Sequence, residues 1–268
     1  MISQLTAFIL VNLKAILRDR ILHAIFGVAL VILVLVPSLS TFSMRQVQEL
    51  AINLSLSATS MVLMVATLLL GASAIWRDIE RRYTAALLPL PVKRSTYLLA
   101  KFIACSIFLV VSGIILTAVS VAVISISAAQ YPSDIQILWN NVLLAIAADV
   151  LKYILLAAIA VSFSTVSTSF ALPFFCTLAV YMGGSAAQEV FEYISGQFGQ
   201  QFDPSSLTII KGAYYLLPNF AGFDFKVHAV YALPVTLDAI LFPVFYAFSY
   251  SSIVLALAIF VLNRRELP

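Results

Sequence analysis

WRDIERRYTAALLPLPVKRSTYLLAK, residues 76–101, lies between two long apolar runs, and the rest of the chain is read outward from it. It holds six of the fifteen Lys and Arg: Arg77, Arg81, Arg82, Lys93, Arg94 and Lys101. Its first half has a helical apolar stripe, Trp76, Ile79, Tyr83 and Leu87, beside a charged face of Asp78, Glu80, Arg81 and Arg82. Leu88-Pro89-Leu90-Pro91 then stops that helix, since proline lacks an N–H and restricts the residue before it. After Ser95 a second helix is expected to start and enter the membrane.

The composition sets the class. The 268 residues are 62% hydrophobic and 10% charged, with mean hydropathy +1.06. Soluble domains carry about 25% charged residues. The chain is therefore expected to be an all-α membrane protein. A net charge of +3 does not suggest a nucleic-acid partner, because the basic residues flank apolar segments. Cys105 and Cys176 both sit in apolar runs and read as small buried hydrophobes rather than a disulfide. The first apolar run begins only after residue 20, and no A-x-A-like site follows it, so it reads as a retained helix.

A crossing takes about 20 apolar residues. Uncharged runs Ala24–Met44, Leu50–Trp76, Phe102–Ser133 and Ala239–Asn263 suggest spans at 22–42, 52–75, 98–127 and 239–262. Tyr153–Gln188 is uncharged for 36 residues, too long for one helix. The polar cluster Ser162, Ser164, Thr165, Ser167, Thr168 and Ser169 marks a turn inside it, giving spans at 138–164 and 169–188. Those hydroxyls either bond between helices or only make the turn. Residues 3–20 read as an amphipathic interfacial helix, with Leu5, Ile9, Leu13, Ile16 and Leu17 on one face. The other reading is that it extends the first span out of the bilayer.

Six spans place both ends on one side, and charge chooses the side. Lys14, Arg18, Arg20, the six basic residues of 76–101, Arg264 and Arg265 would lie inside, against Arg45, Lys211 and Lys226 outside. Eleven against three is a strong positive-inside bias, so both termini are expected to be cytoplasmic. The outer connection 191–235 carries ten aromatic residues, too many for a fully solvated loop. Asp203-Pro204-Ser205-Ser206 is a good helix start, and Leu207–Leu217 reads as a short helix ended by Pro218. Short helices lying in or dipping into the outer leaflet are expected, with a small self-packed cap as the alternative.

Asp149 and Lys152 stand three apart within a span, on one helix face. Ionisable groups there call for a functional hypothesis, such as a pathway lining or a partner interface. A self-neutralising ion pair in the outer part of the helix is the favoured reading. His23 and His228 have no Cys or carboxylate at metal-ligand spacing, so no metal site is expected. There is no G-x-x-x-x-G-K-[ST], so any ATP must be hydrolysed by another subunit.

The stretch 76–101 resembles the loop between spans 2 and 3 in membrane subunits of ABC-2-type ABC exporters. That loop has an acidic residue, a Thr, a Leu-rich helix end, Pro, a basic pair and a closing small residue plus Lys. Here these read Glu80, Thr84, Leu87-Leu88, Pro91-Val92-Lys93-Arg94 and Ala100-Lys101. Two departures stand out: Tyr83 where Gly commonly precedes the Thr, and Ala100-Lys101 where Gly-Lys is common. The amphipathic N-terminus, the long last outer loop and Asn263-Arg264-Arg265 extend the likeness over the whole length. Leu217-Pro218-Asn219-Phe220 is similar to permeases linked to multicopper-enzyme maturation.

The resemblance implies a permease subunit of an inner-membrane exporter in a prokaryote, paired as a homo- or heterodimer. Two ATPase subunits would bind ATP and Mg2+; this chain would bind no cofactor and be no enzyme itself. A coupling helix within 76–97 would dock on the ATPase through Ile79, Glu80, Tyr83 and Leu87, rimmed by Arg81, Arg82, Lys93 and Arg94. Membrane lipid is the remaining expected partner. A scaffold that recruits a complex without transporting is the main rival. An ion-coupled carrier ranks last, because one intramembrane charge pair and no repeat are evident.

Overall fold

The computed structural model describes residues 2–43, 46–80, 94–130, 136–196 and 203–264, and every regular element among them is helical. In order these are α1 (Ile2–Leu17), α2 (Arg20–Ser40), α3 (Val47–Glu80), α4 (Arg94–Gln130), α5 (Trp139–Val166), α6 (Ala171–Ser195) and α7 (Pro204–Leu216). A 3-10 turn (Ala221–Phe223), α8 (Lys226–Val230) and α9 (Leu237–Arg264) complete the chain. Five helices, α2, α3, α4, α5 and α9, are long and apolar enough to cross a bilayer, which marks a membrane-embedded protein. α6 covers the expected fifth span but is not among the five. Gly183-Gly184-Ser185, Gln188 and Glu189 dilute the apolar character of its second half.

α3 and α5 form the centre. Buried residues make up 72% and 61% of their apolar windows, against 22% in α2 and α9. Lipid tails are as apolar as leucine, so helices in a bilayer associate through close packing and hydrogen bonds rather than hydrophobic burial. α5 suits a central place because Ala145, Ala148, Ala157, Ala158 and Ala160 are all buried and let neighbours approach from several sides. α3 and α5 come close together at Gly71 of α3. A Cβ there would lie 2.2 Å from the Cβ of Ala160. Gly113 brings α4 onto α5 in the same way: a Cβ at that position would lie 2.4 Å from Val150 Cγ2.

The outer helices each bury one stripe. On α2 it is Leu22, Ala29, Leu33, Val36 and Ser40; on α9 it is Pro243, Ala247, Ser251, Leu255, Ala258 and Leu262. Their other faces leave Val28, Val31 and Val34, or Phe242, Phe245 and Phe248, exposed, as lipid-facing surfaces require.

The N-terminal segment does not continue the first span. α1 stops at Leu17, and Asp19 caps α2 by accepting the Ile21 N–H at 3.0 Å. α1 packs along the start of α4 with Leu5, Phe8, Ile9, Asn12, Leu13 and Ile16 half-buried. Leu17, placed on that face from sequence, is instead exposed, because the helix ends there and the chain turns.

Candidate functional site

The basic residues that are far apart in sequence meet at one end of the bundle. Arg77, near the end of α3, donates to Asp19 at 2.6 Å. Asp78 takes both the Tyr97 hydroxyl (2.5 Å) and the Lys101 ammonium (2.7 Å) on one oxygen. Arg94 donates to the carbonyls of Leu262 (2.8 Å) and Asn263 (3.3 Å) at the end of α9. Trp76 packs on Phe170, which follows α5, with ring centroids 5.6 Å apart. Partial burial alone would raise the Asp19 carboxyl. The Arg77 hydrogen bond, the Ile21 N–H and the charges of Arg77 and His23 outweigh it and hold the carboxyl below its ordinary value.

This end is also hollow. A cleft of about 930 Å3 runs between α1, the start of α2, the end of α3 and the start of α4. A smaller hollow of about 250 Å3 lies across the Asp19–Arg77 bridge, against Trp76 and Phe170.

Of the coupling residues proposed from sequence, Glu80 is the exposed last residue of α3, and Ile79 lies in that same last turn. Residues 76–80 thus continue α3 without a break. Arg81, Arg82, Tyr83 and Leu87 lie outside the described residues, as does the rest of 81–93. The expected coupling helix is therefore described only at its two feet, Trp76–Glu80 and Arg94–Tyr97.

The second polar feature is inside the bundle. Asp149 and Lys152 pair directly and are both buried. Ser60 of α3 lies 2.7 Å from the Tyr153 hydroxyl, one residue along α5 from Lys152. Tyr153 reaches Tyr181 of α6 at 3.4 Å, and the Lys152 ammonium sits 4.9 Å from the Tyr153 ring centre. Sequence singled out the ion pair but not its partners. Ser60, Tyr153 and Tyr181 belong to three helices whose register only the fold sets. Ser60 is seventeen residues before Arg77, about 25 Å along the helix. The pair therefore sits far from the basic end.

The Ser/Thr cluster does both jobs considered for it. Ser164 reaches α3, donating to Ala72 O and accepting from Ile75 N, each at 3.2 Å. Ser167 instead makes the turn, accepting from Ser169 N at 3.0 Å and donating to Ser169 O at 2.7 Å.

The end opposite the basic residues is closed by residues 218–233. Phe220 and Phe223 are at most 2% exposed and join the main core with Tyr153 and Leu156. Asn141 holds the segment by donating to His228 O (2.9 Å) and Leu233 O (2.8 Å), across a turn where Ala232 adopts φ 53°. Lys226 donates to Ser57 at 2.9 Å, and Asn219 to Gln188 at 2.9 Å. α7 is more open, with Tyr214 stacked on Phe191 at 4.1 Å and Tyr215 and Leu216 exposed. The aromatic count hinted at burial. It did not show that half of the loop packs into the bundle.

Among the described residues no group of His, Cys, Asp and Glu could hold a metal ion. The sequence matches no protein-family model and no curated protein.

Proposed function

We propose that the chain is the membrane subunit of an ATP-driven exporter of the ABC-2 type, working as a pair with separate ATPase subunits docked on residues 76–97. The six spans are α2, α3, α4, α5, α6 and α9, with both termini on the cytoplasmic side of a prokaryotic inner membrane. ATP and Mg2+ bind on the partner.

The observation that carries this reading is the clasp of Asp78 with Lys101 and Tyr97. It ties the two feet of 81–93 together, so a partner moving that stretch moves α3 and α4 as one. α3 has 34 residues, about 51 Å, against a hydrocarbon core of about 30 Å. It also lies at the centre, locked to α5 at Gly71 and Ser164. A displacement at Glu80 is therefore delivered to the middle of the bundle rather than lost in a flexible loop. The gathering of Arg77, Arg94, Lys101 and Arg264 at that end agrees with a cytoplasmic assignment.

The test is purification from the native host in mild detergent, followed by ATPase and transport assays in vesicles. An ATPase should co-purify, and Glu80→Lys should keep the fold but uncouple hydrolysis from transport. If no ATPase co-purifies and Glu80→Lys leaves the phenotype intact, the chain is a scaffold.

A further inference from the structure

We propose that the cleft between α1, α3 and α4 binds the phosphate headgroup of an anionic phospholipid, with an acyl chain leaving along the apolar face of α1 and α2. Four cations, Arg18, Arg20, Arg77 and Lys101, line the cleft against three carboxylates, Asp19, Asp78 and Glu80. Both oxygens of Asp19 are taken, by Ile21 N and by Arg77. One oxygen of Asp78 receives Lys101 and Tyr97 together.

The cations keep capacity. A guanidinium has five N–H groups and an ammonium three, and Arg77 and Lys101 each use only part of theirs. Arg18 and Arg20 also line the cleft and have no acidic side-chain partner among the described residues. Among the described residues, Glu80 is the one carboxylate at the rim left without a cation in these pairs, and it stands at the far end of α3. The site therefore favours an anion.

Its walls favour an amphiphile rather than a free ion. Leu70, Trp76 and Ile16 line the interior, and Val11 and Ile21 stand exposed at the mouth, 66% and 58% accessible. About 930 Å3 is within the range of small-ligand sites, roughly 300–1,000 Å3. A cationic floor opening onto uncovered apolar helix is complementary to a phosphate joined to hydrocarbon. The inference concerns the chain alone and does not depend on an ATPase partner.

The experiment titrates the purified full-length chain in detergent with phosphatidylglycerol or phosphatidylcholine and counts retained lipid by native mass spectrometry. Phosphatidylglycerol should be retained preferentially. Arg18→Gln and Arg20→Gln should each weaken it about fivefold, the usual effect of one basic residue near an anionic surface. Ala15→Trp, on the cleft wall of α1, should abolish retention with every charge in place. Arg264→Gln, a cation at the same end but outside the cleft, should change nothing. Far-UV circular dichroism checks that each variant is folded. Equal retention of the two lipids would overturn the proposal, as would Arg18→Gln and Arg20→Gln behaving as wild type. Full retention by Ala15→Trp would overturn it too, by reducing the binding to surface attraction. Displacement of the lipid by millimolar inorganic phosphate would overturn it in favour of a site for soluble anions.

Discussion

Gly71→Ala is the sharpest probe of the bundle's centre. The new methyl would meet the Cβ of Ala160 at 2.2 Å, whereas ordinary van der Waals contact begins at 3.4 Å, so α3 and α5 must part by about 1.2 Å. Neither atom belongs to a side chain that can rotate away. The two Ser164 bonds to α3, already 3.2 Å long, would then exceed hydrogen-bond reach. Overpacking costs about 1–3 kcal/mol. Interhelical bonds in membranes average about 0.6 kcal/mol each. Removing a helical glycine returns up to ~1 kcal/mol. The net loss is about 1–3 kcal/mol. Denaturant titration in mixed micelles, read by tryptophan fluorescence, measures it. Adding Ala160→Gly should restore most of the stability, because the pair then holds the same atoms with the methyl on the other helix. Gly27→Ala, which has nothing within 4 Å, should be neutral or stabilising. Gly71→Ala as stable as wild type, or no rescue by Ala160→Gly, would refute the close contact.

Other predictions concern the polar groups and the closed end. Lys152→Met should destabilise by about 3–5 kcal/mol because it strands a buried carboxylate; Asp149→Asn with Lys152→Met should cost much less in the same titration. Asp19 has a folded-state pKa below its unfolded value, so its contribution is complete above the ordinary carboxylate range and is lost as pH falls through the lowered value. Wild type should therefore lose stability between about pH 5 and 2 more steeply than Asp19→Asn, measured by thermal midpoint against pH. Phe223→Ala should cost about 3–5 kcal/mol by emptying a fully buried site. Hydrogen exchange should then rise first across 218–233, because Asn141 and Lys226 would be left to hold that segment.

Much of the architecture was legible because membrane solvation imposes length and apolarity on each crossing helix. The uncharged runs found α2, α3, α4 and α9, and the second half of α5. The break in the 36-residue run was marked by Ser and Thr, and the helix after Asp203 by capping residues. The elbow at Asp19 was less clear. An aspartate between Arg18 and Arg20 looks like one more interfacial charge until its side chain is seen on the Ile21 N–H. The candidate site was legible as a concentration of charge, not as a set of partners. Pairing Arg77 with Asp19 or Arg94 with Leu262 joins residues 58 and 168 apart. No local periodicity carries that information.

The sequence by itself determined that the chain is helical and membrane-embedded, where its basic residues concentrate, and that an ionisable pair stands inside a helix. These follow from local physics: the cost of charge and unpaired backbone in hydrocarbon acts on each segment separately. Tertiary structure decided which helices are central, because that depends on where Gly71 meets Ala160. It also drew 218–233 into the bundle and gave Asp149 and Lys152 their company of Ser60 and Tyr153. The stretch 76–101 became two feet clasped by Asp78, Lys101 and Tyr97. Those outcomes depend on the relative depth and rotation of helices, and only the packing of all of them together sets either.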